Sequence, residues 1–535
     1  MRRRLARIAV STVLVAAALA SPISPLPVPV ASAAPQVIPC PPGSEWQMRD
    51  LVNAYRAANN RASLVLSAEL MVKAQAWSDH MAAQNKLLHS TLSNGVSAGW
   101  GAIAENIAVN YSVSGAQTAL QNSPPHRANL LGSYTEMGLG ISEGANGTIW
   151  VAQVFVSRGT PTPAYRGPAN AGAYQGVAPT VVFDPGAVAA GTTSTFAVAG
   201  VGGVPSGATA AVVTVEGTGA ATRGWVQALG PGATVGSSSN LNLVDGAAVN
   251  TAVVPLATDG TMRLYNSVTA SLKVTVTGYF AATGGPVNAG RLVALPPSRL
   301  FDTRPQYATG YSGAKPEAGD TVTVQVGGRG GVPSSGVRAA VLNVVAVQPE
   351  DEGEVQAGAA GMAPGAWRNL LIARPGQVIA NLVIVPLDSN GRAALRTTVG
   401  THLVVDVQGW FTGPSAAATT AGLFVPITPA RFMDTRGGSP VLGPALVDTA
   451  RRFDMPACPR AVLGNLTVIP ATATSFAQLG PYNQYLGGTY SNLNADVVGA
   501  PVANAALVLT GSGYDLGVWT SSPTHVIMDM SGWFV

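Results

Sequence analysis

The chain has 535 residues, of which only 10% are charged, and 30 Lys and Arg stand against 26 Asp and Glu. An average soluble domain is roughly 25% charged. Four of the thirty bases, Arg2, Arg3, Arg4 and Arg7, precede an apolar run from Ile8 to Ala20 and small-residue sites at Ala20 and Ala33, the pattern of a secretory signal peptide over residues 1–33. Without them the charges balance at 26 to 26, which excludes nucleic acid and anionic membranes as partners, because both demand a basic surface.

The apolar run is thirteen residues long, short of the roughly 20 that span a hydrocarbon core. No transmembrane anchor is therefore expected after signal removal, and the protein is expected to be secreted or cell-surface associated. Cleavage after Ala20 and cleavage after Ala33 both fit. Export makes Cys40, in a short linker over 34–44, and Cys458 candidates for one disulfide, with two free thiols as the alternative.

The first unit, 45–157, begins helical. "EWQMRDLVNAYRAANN" spaces Trp46, Leu51, Val52 and Tyr55 as a stripe, and "SAELMVKAQAWSDHMAAQ" puts Leu70, Ala74, Trp77 and Met81 on one face with Ser67 as N-cap. After Asn110 a short helix is expected before Pro124, and "NSPPHRANLL" reads as a loop carrying His126. "MGLGIS" and "TIWVAQVFV" then read as strands. A Pro-rich linker follows over 158–172.

Beyond the linker helical periodicity disappears and an internal repeat takes over. Openings "PTVVFDPG", "PSRLFDTR" and "PARFMDTR" lead to "SNLNLVDGAAVN", "RNLLIARPGQVIAN" and "SNLNADVVGAPVAN", and the closings are "LKVTVTGYF", "LVVDVQGWF" and "VIMDMSGWF". Equivalent Asn250, Asn381 and Asn504 lie 131 and 123 residues apart, so each copy is large enough to be a domain. Three all-β sandwich or barrel-like domains in series are expected, over 173–282, 283–413 and 414–535, with the closing aromatic pairs as core plugs. In the second and third copies Asp302 and Arg304, and Asp434 and Arg436, flank a threonine. Such a pair anchors a turn through charge-assisted hydrogen bonds, and ligand recognition is the alternative. The first copy has Asp184-Pro185-Gly186 instead.

Chemistry-bearing residues are few. There is no nucleophile elbow, phosphate loop or zinc-protease helix. Five histidines are present, and three of them, His80, His89 and His126, lie within 47 residues. His80, three residues after Trp77 on a helix, reads as packed or surface. His89 and His126 lie beside loops, where a cleft role is more natural than a core one.

The ordered segments "LVNAYRAANNRASLVLSAELMVKAQAWSDHMAAQNKLLHS", "AENI", "SPPHRANLL", "MGLGIS" and "IWVAQVF", from Trp46 to Val156, resemble the CAP or SCP domain of bacteria, of the superfamily of cysteine-rich secretory and pathogenesis-related proteins. The resemblance implies an α-β-α sandwich with a central groove. It places His89, Glu105 and His126 at that groove as ligands for zinc or another divalent metal, with Glu105 alternatively a catalytic base. Ser123, Arg127, Asn129 and Gln153 become its supports. The family's second acidic residue has no counterpart, because no Asp or Glu occurs between Glu105 and Glu136. The Asp-Thr-Arg copies resemble repeats that accompany exported bacterial catalytic domains, which implies an accessory or surface-attachment role. The leading reading is thus a cell-envelope or secreted protein whose groove binds a lipid, cell-wall fragment or other small ligand. A metal-dependent hydrolase of peptide or glycan bonds and a non-catalytic adhesin or scaffold are the alternatives.

Overall fold

The computed structural model describes residues 43–96, 98–144, 147–159, 171–283, 286–365, 367–419, 421–436, 451–454, 459–482, 487–488, 490–511 and 515–535. The expected signal peptide, Cys40, Cys458 and most of the expected linker over 158–172 lie outside the described residues. No described helix is long and apolar enough to cross a membrane.

The first unit runs α1 (Gly43–Ala58), β1 (Val65–Leu66), α2 (Ala68–Gln84), β2 (Trp100–Asn110), α3 (Val113–Asn122), α4 (Pro124–Leu130), β3 (Glu136–Glu143) and β4 (Ile149–Arg158). Its sheet has the order β1-β3-β4-β2, with only β1 and β3 parallel. Successive side chains of a strand alternate between faces, and the central β4 uses both. Val151 and Phe155 pack with Met48 and Val52 of α1, Leu120 of α3 and Leu130 of α4. Trp150, Ala152, Val154 and Val156 pack with Leu70, Ala74 and Met81 of α2. The result is a sheet between two helical layers.

Glycines in "MGLGIS" set how closely α2 approaches. A Cβ at Gly138 would lie 2.1 Å from the Leu70 carbonyl oxygen, and one at Gly140 2.2 Å from Ala74 backbone, so no side chain fits between strand and helix. Gly140→Ala is therefore expected to push α2 away and destabilise the unit by about 1–3 kcal/mol in urea denaturation.

"NSPPHRANLL" forms a helix, α4, rather than the expected loop. Pro124 and Pro125 occupy its first two positions, where their missing N–H groups have no intrahelical role and their fixed φ suits the turn.

At the start of α1, Glu45 is wholly buried, with its Oε1 accepting from the Ile141 N–H at 2.9 Å. Burial, opposed by that bond and assisted by nearby Asp79, pushes its carboxyl up to about 9. A folded-state value above the unfolded one gives stability that is complete below the unfolded value and lost as pH rises through the folded one. At pH 7 this costs about 3 kcal/mol at 1.4 kcal/mol per unit. Glu45→Gln is thus expected to flatten the decline in melting temperature between pH 5 and 9, and an unaltered slope would refute the assignment.

The remainder is built of strands. β5 (Gly172–Val188), β6 (Thr192–Ala197), β7 (Ala208–Thr218), β8 (Gly224–Leu229), β9 (Leu241–Leu243), β10 (Ala248–Pro255), β11 (Thr261–Asn266) and β12 (Ala270–Ala282) make sheets β10-β7-β12-β5 and β6-β11-β8-β9. β13 (Leu292–Asp302), β14 (Thr321–Gln325), β15 (Val337–Val347), β16 (Gly353–Ala359), β17 (Leu370–Ile372), β18 (Val378–Pro386), β19 (Arg392–Thr397) and β20 (His402–Thr412) pair as β18-β15-β20-β13 and β14-β19-β16-β17. β21 (Phe424–Asp434), β22 (Arg451–Asp454), β23 (Ala461–Pro470), β24 (Ser475–Gly480), β25 (Leu493–Ala495), β26 (Val502–Leu509), β27 (Asp515–Thr520) and β28 (Thr524–Phe534) pair as β26-β23-β28-β21 and β22-β27-β24-β25, and β21 also pairs with β5 of the first set, Phe424 opposite Gly172, so that β10-β7-β12-β5-β21-β28-β23-β26 is one eight-stranded sheet. No barrel is closed among the described residues. Each pair of sheets encloses an apolar core, such as that of Val213, Val226, Leu264 and Val274.

A further core joins all three sets. Phe280, Phe411, Phe424, Phe534 and Tyr174 meet with Val212, Val341 and Leu463, and Phe280 lies 4.4 Å from Phe424, 6.2 Å from Phe411 and 6.1 Å from Phe534. Strands β7, β15 and β23 are consequently buried on both faces, which is why they read as unbroken apolar runs. The closing aromatic pairs divide between these cores. Tyr279, Trp410 and Trp533 pack against the core of their own set, while Phe280, Phe411 and Phe534, pointing the other way, pack at the shared one.

The equivalent asparagines stitch the sets together. Asn250 Nδ2 donates to Asn465 Oδ1 at 2.8 Å and its Oδ1 accepts from Ala505 N–H at 2.9 Å. Asn504 Nδ2 donates to Asn343 Oδ1 at 3.1 Å, and its Oδ1 accepts from Leu382 N–H at 2.8 Å. Asn381 Nδ2 donates to the Val249 carbonyl at 3.1 Å. The three contacts close a ring, in place of an arrangement in series.

Both Asp-Thr-Arg segments fold back on themselves. Asp302 Oδ1 accepts from the Arg304 backbone N–H and Nε, its Oδ2 accepts from Arg304 Nη2 and Arg299 Nη1 at 2.7 Å, and Arg299 also binds Asp406. Arg431, Asp434, Arg436 and Asp529 repeat the pattern. In the first set the corresponding residues are Val181, Asp184, Gly186 and Thr275, so the four-membered charge network is missing as a whole.

Candidate functional site

β2 is an edge strand, and its consecutive residues Glu105 and Asn106 lean to opposite faces. Each face then holds one histidine. Glu105 Oε1 accepts from Ser90 N–H at 2.8 Å and pairs with His89 Nδ1 at 2.9 Å, while Oε2 accepts from Ser90 Oγ at 2.5 Å. The Glu105 side chain is 1% exposed and that of His89 is 59% exposed. A buried carboxylate thus holds an imidazole at the surface.

On the other face Asn106 Nδ2 donates to the His126 carbonyl at 3.1 Å and to Gln153 Oε1 at 3.2 Å, and Asn106 Oδ1 accepts from Asn129 Nδ2 at 3.0 Å. Gln153 Nε2 continues to Gln117 Oε1 at 3.0 Å and Met48 Sδ at 3.1 Å. This buried amide chain fastens α4 to the sheet. His126 Nδ1 meets Ser123 Oγ at 2.9 Å. Burial, and secondly the charge of His89, push the His126 imidazole below its usual range, so it is neutral at pH 7.

The structure therefore places His89 against Glu105 and gathers Ser123, His126, Asn129 and Gln153 about Asn106, the next residue of β2. Arg127 differs from expectation: it is exposed, and among the described residues no side-chain bond from it braces α4, because the neighbouring turns are held by Asn106 and Asn129. His80 is exposed and stacked on Trp77 at 4.7 Å between ring centroids, away from the cleft. Ser90 and Gln117 carry no signal in the sequence beyond Ser90 following a histidine.

Each histidine has Nδ1 engaged and no described partner at Nε2. Glu105 is turned to His89 and Ser90, behind the imidazole, as carboxylates that orient a ligating histidine are. Among the described residues no group of three or more His, Cys, Asp or Glu is arranged to hold a metal.

Fold and site together define a class. Residues 49–155 match the family model of CAP, the cysteine-rich secretory protein family, and this segment is a CAP domain. Among solved structures, an extracellular protein containing an SCP domain from Bacillus anthracis is 27% identical, with a TM-score of 0.20, over 22% of this chain and 41% of that one. An outer surface protein of Borrelia burgdorferi is 14% identical, with a TM-score of 0.20, over 22% of this chain and 92% of that one. Among curated proteins none matches the chain.

Proposed function

We propose that the protein is an exported, cell-envelope or secreted CAP-domain protein whose cleft binds a small ligand, a lipid or cell-wall fragment, beside His89 and His126. The observation that carries binding over catalysis is the engagement of Glu105. With both oxygens accepting bonds from His89 and Ser90, Glu105 is turned to that loop, its side chain 1% exposed, rather than presented to solvent. The β-rich remainder is read as three sandwich domains over 173–282, 283–413 and 414–535 that present the CAP domain at the cell surface, supported by the common strand order and the shared aromatic core.

A divalent metal held by Nε2 of His89 and His126 would supply Lewis-acid polarisation of a ligand oxygen. The chain's own contribution is to orient both imidazoles, His89 through Glu105 and His126 through Ser123. The test is retention of lipids, muropeptides and zinc by the purified full chain and by His126→Ala. Retention by the wild type and its loss in the variant is expected, and no binding across the panel would overturn the reading. Stoichiometric zinc with turnover of a peptide or glycan, lost in Glu105→Gln, would establish the hydrolase instead. For the scaffold reading, deletion of 173–535 would abolish surface retention while groove binding is absent.

A further inference from the structure

Lys73, on α2, is only 9% exposed. Its Nζ donates to the carbonyls of Thr91 at 3.0 Å and Asn94 at 2.9 Å. One turn along the same stripe, Trp77 Nε1 donates to the Leu88 carbonyl at 2.6 Å. These three acceptors bracket His89 and Ser90 on a segment, 85–96, that has no strand or α-helix of its own. Among the described residues the backbone within it closes only the turns Thr91 to Asn94 and Ser93 to Val96. An ordered loop with so few internal bonds takes its position from whatever it is tied to, and here that is α2.

Burial of an ammonium is costly unless its protons are bonded. The two carbonyls take up two of its three N–H groups, and the charge of Glu105 offsets the burial further. A hydrophobic residue in the same space would pack as well, so core packing does not explain a lysine at this position. Two convergent acceptors on the loop that carries His89 do.

We propose that Lys73 is a positioning residue of the cleft: by gripping the Thr91 and Asn94 carbonyls it sets where His89 and Ser90 meet Glu105, and so fixes His89 relative to His126. It touches no ligand, and the reading of the cleft as the binding site rests on the function proposed above.

The test compares full-length wild type, Lys73→Met, which keeps the stem and loses the donors, and Lys73→Arg, which restores them. The readouts are hydrogen exchange of the Ser90 amide, which donates to Glu105, and the NMR signal of His89 Nδ1–H. In Lys73→Met, Ser90 exchange is expected to accelerate at least about tenfold, the loss of roughly one such anchoring bond, and the Nδ1–H signal to be lost. Amides of β3 and β4 should keep their protection, and Lys73→Arg should return both readouts. Should Lys73→Met not fold, Lys73→Gln, which can keep a single donor, is read in the same way and expected to give a partial effect. Unchanged Ser90 exchange and an intact His89 signal in the folded variant would overturn the proposal. Zinc titration of the same proteins keeps the two questions apart. If wild type binds no zinc the metal reading fails, while Ser90 exchange still decides the role of Lys73.

Discussion

Replacing Phe280 by alanine is expected to destabilise the whole β-rich region by about 3–5 kcal/mol, the usual cost of removing a buried phenylalanine. The loss should not be confined to its own strands. Phe280 is fully buried and contacts Tyr174, Phe411, Phe424 and Phe534, residues of all three strand sets. Asn250 and Asn504 in addition bind backbone N–H groups of other sets from buried positions, where an unmatched partner costs about 1–3 kcal/mol. Urea denaturation of the full chain, followed by fluorescence of Trp225, Trp410 and Trp533, should therefore show one transition for these probes that Phe280→Ala moves as a unit. Three separate transitions, of which only that of Trp225 shifts, would show independent domains instead. On the same argument, residues 173–282 expressed alone should aggregate, because the Phe280 face would become an exposed apolar patch.

Asn106→Ala is expected to be the most damaging single change in the CAP domain. Asn106 is wholly buried and serves His126, Gln153 and Asn129 at once. Its removal strands a carbonyl, an amide oxygen and an amide N–H group, a loss of about 3 kcal/mol when only part is recovered by relaxation. α4 should then separate from β2, carrying His126 away from His89. Thermal melting would show the stability loss, and the His126 imidazole, no longer desolvated to the same degree, should titrate nearer its ordinary range in NMR. A melting temperature equal to the wild type, with His126 unmoved, would refute the role of the amide chain. Asn106→Asp provides a contrast, since it keeps the acceptor for Asn129 and loses only the donors.

Several elements are legible in the residues alone because their signals are local. The stripe of Leu70, Ala74, Trp77 and Met81 after Ser67 describes α2, and Ser67 is its N-cap. The β-branched and aromatic run at Ile149–Arg158 describes β4. The prolines at 124 and 125 mislead for an equally local reason: a proline pair breaks a helix in its interior but begins one at its first turn, and only the packing of Leu130 beneath α4 decides between them. Lys73 was hidden because a lysine on an amphipathic helix reads as solvent-facing, and nothing in its neighbourhood shows that two carbonyls some twenty residues later converge on it.

By itself the sequence determined α1, α2, α3, β3 and β4 of the first unit but not β1, β2 or α4, the resemblance that gathers His89, Glu105 and His126, and the equivalence of Asn250, Asn381 and Asn504. Periodicity reports which face of an element is apolar, and spacing reports which positions correspond. Neither reports what covers that face or which group answers a buried donor, because those partners lie from 16 to more than 200 residues away along the chain. The tertiary structure decided that Glu105 stands behind His89 rather than open to the cleft, that each closing aromatic pair divides between two cores, and that three equivalent asparagines close a ring. The physical reason is common to all three. A buried polar group or aromatic face must find a partner, and only the folded chain brings the candidates within reach.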